Sequence, residues 1–337
     1  MKKLIIISNE RVSANSVNQF KSTNLDLKIL PDELSSKYDV ECIFRQSKEE
    51  CNHRYNLNNI KAESNILFFL WQVFKTIFIK DSRYLIVAIS PYTFLSFFIL
   101  FLFRKKNLFT YLMSNGHEEY LHILGKKFVW IYDFMFNFVT KFTKVIVCHE
   151  RLFDVKNSYL VLPSRLNKNW FDNTCKPKIN CPNFLYVGRI NPEKGIENFI
   201  NLFESSNLDG ELSIAGKGVN LKENSNKVKF LGYIASEEKL IKTYDTSNIT
   251  ILPSFTEAHP YVLEESLARK RPIIIFDEIS YVKKNKIGVY VIKRDKDALI
   301  STTNHILQNY SSIQEEMSKN NLPTMNKMIE RFYQIIG

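Results

Sequence analysis

Residues 254–272 read SFTEAHPYVLEESLARKRP, which sets Glu257 and Glu265 eight positions apart across a proline and an apolar helical run. Proline suits the first turn of a helix, where its missing N–H costs nothing, so a helix is expected to begin just after Pro260. Glu257 then lies on the preceding loop and Glu265 about one turn inside. First-turn amides, here those of Tyr261, Val262 and Leu263, have no intrahelical acceptor and carry partial positive charge. An anion held by them would sit between the two carboxylates. The pattern fits a ligand with hydroxyls on either side of a phosphate.

Outward from this stretch, strand-like apolar runs recur with helical segments between them. They are Leu4–Ser8, Tyr84–Ser90, Leu108–Met113 and Val145–Cys148, then Asn183–Val187, Glu211–Ala215, Val228–Leu231, Ile249–Pro253, Pro272–Phe276 and Val289–Ile292. Such alternation predicts an α/β protein with parallel, doubly wound sheets covered by helices. The stretch Tyr159–Lys178, with Pro163, Asn167, Asn169 and Pro177, reads as a connection. We therefore expect an N-terminal domain over 1–165, a second over 166–318, and a C-terminal helix within 319–337 that returns to the first. A chain of 337 residues is long enough for two domains with separate cores.

The composition, 45% hydrophobic and 24% charged, is that of a folded chain and excludes intrinsic disorder. Five scattered cysteines form no CxxC pair or zinc spacing and read as reduced thiols of a cytoplasmic protein. The start MKKLIIISNE has too short an apolar run for a secretory signal and reads as a first strand. Residues 1–165 carry 23 Lys and Arg against 15 Asp and Glu, whereas residues 166–337 carry 23 against 20. The N-terminal excess suits an anionic membrane surface or a solvated basic face, and no nucleic-acid-binding motif accompanies it.

Tyr84–Phe103 has 20 consecutive uncharged residues, the length of a membrane span, but Ser90-Pro91 divides it. A buried strand followed by a core helix is the expected arrangement. The aromatic stretch Ile66–Lys80, with Lys75 and Lys80, suits either core packing or a membrane interface. With the basic N-terminal half, it points to peripheral attachment at the inner face of the cell membrane.

The run Phe184–Val187 ends in Gly188-Arg189, and Lys194 follows five residues later, before a helical segment. Cations just past the carboxyl end of a strand lie where open α/β sheets bind ligands, and an Arg and a Lys together suit a diphosphate. Two surface cations on a turn would look the same in isolation. Gly216 and Gly218, in Ala215-Gly216-Lys217-Gly218, would allow a ligand close to the backbone. Gly232, after Phe230-Leu231, marks a turn where a base could stack. Neither GxGxxG nor GxxxxGK[ST] occurs.

The ordered fragments GRINPEKG, IAGKG, VKFLGYI and ILPSFTEAHPYVLEESLARKRPIII resemble glycosyltransferase family 4, the retaining sugar-nucleotide enzymes within the glycosyl transferases group 1. The resemblance covers about residues 183–276 and implies the GT-B fold, two Rossmann-like domains facing a central cleft. It implies that Arg189 and Lys194 hold the donor diphosphate with the amides of Tyr261 and Val262, that Glu257 contacts the transferred sugar, and that Glu265 binds the ribose. It implies no cofactor and no obligatory metal, and the sequence has no DxD-like pair in a suitable loop. Gly188, Gly216, Gly218, Gly232 and His259 fall in the donor cleft. The chain departs from the family around the first acid, where Ala258 and Pro260 replace glycines, and at Arg269-Lys270, where a small residue and a glycine are usual. His259 could bond the donor or pack under the helix.

In the N-terminal half, Ser114, Asn115, Gly116 and His117 follow the strand-like run Leu108–Met113 and are the acceptor-side candidates. Relatives with a His or polar loop there make His117 the candidate for acceptor positioning, with an ordinary loop histidine as the alternative. The activity so implied is transfer of a sugar from a nucleotide-diphosphate sugar to a saccharide or lipid-linked saccharide in cell-envelope polysaccharide, lipopolysaccharide or glycolipid synthesis. A sugar-nucleotide 2-epimerase and a non-catalytic sugar-nucleotide-binding scaffold are the alternatives on the same fold.

Overall fold

The computed structural model describes the whole chain except residues 15–18, 50, 104, 114, 115, 118, 119, 122–124, 150–154, 156, 176, 178, 180, 181, 219–225 and 258. It divides into two compact units, Met1–Pro163 with Asn326–Gly337, and Ser164–Met325. Both are Rossmann-like, with helices packed against a mainly parallel sheet.

The strands of the first unit are β1 (Lys2–Ala14), β2 (Phe20–Ser22), β3 (Tyr38–Gln46), β4 (His53–Arg54), β5 (Ile60–Glu63), β6 (Arg83–Val87), β7 (Leu108–Leu112), β8 (Lys144–Val147) and β9 (Tyr159–Leu160). Seven run parallel in the order β5-β3-β1-β6-β7-β8-β9, and β2 and β4 add an antiparallel ribbon at the far end of β1. Leu4, Ile5, Ile6 and Ile7 are buried in succession because β1 is paired on both edges and covered on both faces. The first strand does not end at Ser8. It shifts register between Ile7 and Arg11 and continues to pair with Gln46 and Ser22.

Ser90 and Thr93 form a reciprocal capping box that starts the helix Pro91–Leu102, so the apolar run 84–103 is a strand, a turn and a 12-residue helix. Among the described residues no helix is long and apolar enough to cross a membrane. Nor is this helix wholly in the core: Phe97 and Leu100 are buried, but Phe98 and Leu102 are exposed. The last helix, Met325–Ile336, packs on the first sheet, with Phe332 edge-on to Tyr111 at 5.0 Å and Arg83 Nε donating to the Ile336 carbonyl at 2.9 Å.

The second unit holds β10 (Asn183–Val187), β11 (Glu211–Ala215), β12 (Val228–Gly232), β13 (Ile249–Leu252), β14 (Ile273–Phe276) and β15 (Val289–Ile292), all parallel in the order β12-β11-β10-β13-β14-β15. The chain winds outward from β10 in one direction and from β13 in the other, so its topological switch point lies between these two strands. Their cores are near-continuous apolar runs, as burial on both faces requires.

Arg269 and Arg271 are among the largest fully buried side chains of this unit. Arg269 meets Asp245 through Nε at 2.9 Å and Nη2 at 2.7 Å, and donates to the carbonyls of Trp170, Asp172 and Asn173. Arg271 donates to the carbonyls of Tyr244, Asp245 and Cys175. A guanidinium enters a core only when its donors are satisfied, and here it ties the segment 170–175 to the helix Glu237–Asp245.

Candidate functional site

The carboxyl ends of β10 and β13 deliver their loops to one place. Phe255 N–H donates to the Glu193 carbonyl at 3.0 Å, which joins the loop after β13 to the loop after β10. Gly195, at φ +63°, lies against the Pro253 carbonyl so closely that a Cβ would strike it. With the loops locked in this way, Lys194 Nζ reaches Glu257 Oε1 at 2.7 Å, and the two side chains are only 19% and 10% exposed. Ser254 Oγ donates to the same carboxylate oxygen at 2.6 Å. Glu257 follows β13 at the switch point, the end of the sheet where doubly wound folds take ligands.

Two residues that the sequence reading passes over hold the Glu257 loop. Tyr281 hydroxyl bonds both the backbone N–H and the carbonyl of Glu257. Arg294 lies 4.3 Å from the ring centres of both Phe255 and Phe276, donates to the Pro253 carbonyl at 2.6 Å, and pairs with Glu278 at 2.6 Å. They lie 24 and 37 positions after Glu257, and no local spacing signals them.

The helix after this loop runs Tyr261–Ala268 with Pro260 as its extended N-cap residue, which has no side-chain donor or acceptor to cap it. Tyr261 and Val262 therefore head the helix, and the Arg165 guanidinium lies over the Tyr261 ring at 4.2 Å. Arg165 adds a cation near the positive end of the helix that spacing alone does not reveal. One turn on, Glu265 is buried and accepts the Tyr244 hydroxyl at 2.8 Å. Burial first, and the Glu265 charge second, push that hydroxyl well above the ordinary tyrosine range, so Tyr244 stays a donor and fixes the carboxylate.

Arg189 sits differently from Lys194. Its side chain is 71% exposed and meets Glu193 at 3.8 Å, a spacing too loose to fix it. It follows the carboxyl end of β10 with its charge exposed. His259 is nearly buried, with Nε2 3.3 Å from Glu264 Oε1 and its ring edge-on to Tyr261 at 5.6 Å. The ring thus packs against the first turn of the helix, and Nε2 has no hydrogen-bond partner among the described residues.

Gly216 and Gly218 lie where the chain itself approaches closely. A Cβ on Gly216 would strike the Gly188 carbonyl, and one on Gly218 the Ile190 carbonyl. Gly188 N–H donates to Ala215 O and Ile190 N–H to Lys217 O, both at 3.0 Å, so the two loops extend the β10–β11 pairing beyond the strands. Gly232 adopts φ +69° and its carbonyl accepts from Gly216 N–H at 2.9 Å.

In the first unit, Gly116 and His117 follow the carboxyl end of β7. A Cβ on Gly116 would strike the Tyr132 ring, and His117 Nδ1 meets Asp133 Oδ1 at 2.8 Å, both side chains about half exposed. Asp133, on the helix Val129–Phe142, orients the imidazole and leaves Nε2 pointing away from the pair. Ser114 and Asn115 lie outside the described residues, as does Ala258.

The family model described as Glycosyl transferases group 1 matches residues 176–322. An uncharacterized glycosyltransferase of Methanocaldococcus jannaschii is 25% identical over 141 residues, which span 37% of this chain and 36% of that relative's length. Anabaena HepE, solved in complex with UDP and glucose, superposes with a TM-score of 0.68 at 12% identity, over 99% of each chain. The lipopolysaccharide outer core galactosyltransferase WaaB superposes with a TM-score of 0.67 at 13% identity, again over 99% of each. The fold is thus GT-B, the architecture of a class of glycosyltransferases. The match to the glycosyl transferases group 1 model falls within the second unit, which is similar to that group over residues 176–322.

Proposed function

We propose that the protein transfers a sugar from a nucleotide-diphosphate sugar to an acceptor hydroxyl with retention of configuration. The observation that carries this reading is the Lys194–Glu257 pair at the β10/β13 switch point, one short loop before the helix Tyr261–Ala268. The diphosphate would lie against Lys194, Arg189 and the amides of Tyr261 and Val262, so its charge is met by cations and N–H dipoles without an obligatory metal. Glu265, held by Tyr244, would accept the ribose hydroxyls, and the free oxygen of Glu257 would accept a hydroxyl of the transferred sugar.

In the reaction the bond between the anomeric carbon and the diphosphate oxygen breaks, and the acceptor oxygen bonds to that carbon on the same face. The acceptor proton passes to the leaving diphosphate oxygen. The developing charge there is largest in the transition state, which is where Lys194 and the fixed amides act. Glu257 faces the positive character that grows on the sugar ring, and its pairing with Lys194 and Ser254 fixes its geometry. His117 would position the acceptor.

We read the acceptor as a saccharide or lipid-linked saccharide of the cell envelope, met at the cytoplasmic face of the membrane. HepE was solved with UDP and glucose, which supports a nucleotide-sugar donor, and WaaB is a lipopolysaccharide outer core galactosyltransferase, which supports an envelope acceptor. The test is release of nucleoside diphosphate from a panel of nucleotide sugars, with and without acceptor. Glu257→Ala should abolish release while the protein melts cooperatively. Undiminished release from that variant contradicts the reading, and binding of nucleotide without any release favours the scaffold alternative.

A further inference from the structure

Twelve of the 21 exposed large hydrophobic side chains among the described residues lie between Leu67 and Phe142. They come from three helices, Ile66–Thr76, Pro91–Leu102 and Val129–Phe142, and their flanks. The sequence suggests the first two separately; their union with the third appears only in the fold. Phe74 meets Phe103 at 5.5 Å, Phe94 meets Phe134 at 6.0 Å and Phe101 meets Phe142 at 4.8 Å, so the helices pack side by side.

Each helix buries one stripe and exposes a second apolar one. The first buries Phe69 and Val73 and exposes Trp71, and the third buries Met135 and Val139 and exposes Trp130 and Phe134. Scattered exposed hydrophobics are ordinary, but a contiguous aromatic layer on three adjacent helices marks a binding surface. Its partner is indicated by charge. Over residues 66–106 and 126–144, Lys and Arg outnumber Asp and Glu ten to two, and Lys75, Lys126, Lys127 and Lys141 are exposed among the aromatics.

We infer that this three-helix face docks onto an anionic lipid bilayer, with aromatic rings at headgroup depth and the lysines against lipid phosphates. Tryptophan favours the membrane–water boundary because its ring is apolar and its N–H polar, and lysine stems lie along apolar surface while their heads reach phosphate. A second copy of the chain fits the face poorly, since pairing it with itself would bring two basic surfaces together. The inference shares the membrane with the proposed function but does not depend on the donor site.

The test is cosedimentation of the full chain, without nucleotide, with vesicles of phosphatidylcholine alone or mixed with phosphatidylglycerol. Binding should need the anionic lipid and weaken with salt. Trp71 and Trp130 are 54% and 66% exposed while Trp170 is buried, so binding should shift tryptophan emission to the blue. Lys126→Glu with Lys127→Glu should lower vesicle affinity by at least about twentyfold, taking about fivefold per lost lysine near the surface. These lysines are exposed, so the change leaves the fold intact; Trp71→Ser with Trp130→Ser should lower affinity as strongly. Absence of binding, equal binding to both vesicle types, or self-association abolished by the same substitutions would overturn the inference. Vesicle binding and nucleotide binding are read separately, so either can fail without the other.

Discussion

Lys194 and Glu257, 63 positions apart, form a 2.7 Å ion pair that closes the carboxyl end of the second sheet. The pair ties two roles together, since Lys194 orients the acid that would face the sugar and also stands ready for a diphosphate. Removing one partner leaves the other charge poorly solvated, so Lys194→Ala and Glu257→Ala should each cost about 2 kcal/mol. The double variant should cost less than the sum, with a coupling of about 1–2 kcal/mol. Urea unfolding of the four proteins measures it; full additivity would show that the pair contributes nothing.

Arg269 is a structural residue. Its guanidinium is about 1% exposed and bonds Asp245 and four carbonyls, so Arg269→Ala strands a buried carboxylate and several acceptors. The expected loss is about 3–5 kcal/mol. Arg269→Lys should recover little of it, because an ammonium lacks the planar fork. The midpoint of thermal unfolding reads both.

Lys270 adopts φ +54°, a left-handed conformation that costs a side-chain-bearing residue about 1–2 kcal/mol. Its usual occupant in the resembled family is glycine. Lys270→Gly should therefore stabilise the fold, by up to about 1 kcal/mol after the greater freedom of glycine in the unfolded chain is set against the relief. A lowered melting temperature would show that the lysine side chain does something else there.

Cysteine reactivity follows burial. Cys42 is pushed well above the ordinary thiol range, chiefly by burial, and burial raises Cys148 to about 11, whereas Cys175 is exposed. Thiolate is the reactive form, so in a Cys181→Ser background one thiol, Cys175, should react fast with a disulfide reagent at pH 8. Cys175→Ser should remove that phase. Rapid reaction of Cys42 or Cys148 in the native protein would contradict the burial described.

The sequence makes the core strands legible because burial on both faces leaves uninterrupted apolar runs, and each of the ten expected runs overlaps a strand. β3 escapes, since Asp39, Glu41 and Arg45 break its run; in the fold Lys3 meets both acids at 3.2 Å, which makes those charges tolerable beside β1. At the candidate site, Glu257, Glu265, Lys194 and the helix start are readable from local spacing. Tyr281, Arg294, Tyr244 and Arg165 are not, because they reach the site from outside the loop and helix that hold Glu257 and Glu265. The glycines are readable as close approaches, but the sequence does not show that the approaching partner is the chain's own backbone.

The central claim is that the second unit binds a nucleotide-diphosphate sugar through the Lys194 side of the β10/β13 crevice. Thermal shift of the protein against UDP, GDP, ADP, CMP and their sugar conjugates tests it most directly, with Arg189→Ala and Lys194→Ala compared to their own ligand-free melts. One nucleotide class should stabilise the protein by about 2.7 kcal/mol at a hundred times its dissociation constant, and both substitutions should abolish the shift. A cooperatively melting protein that no nucleotide shifts, or a shift that survives both substitutions, would contradict the account.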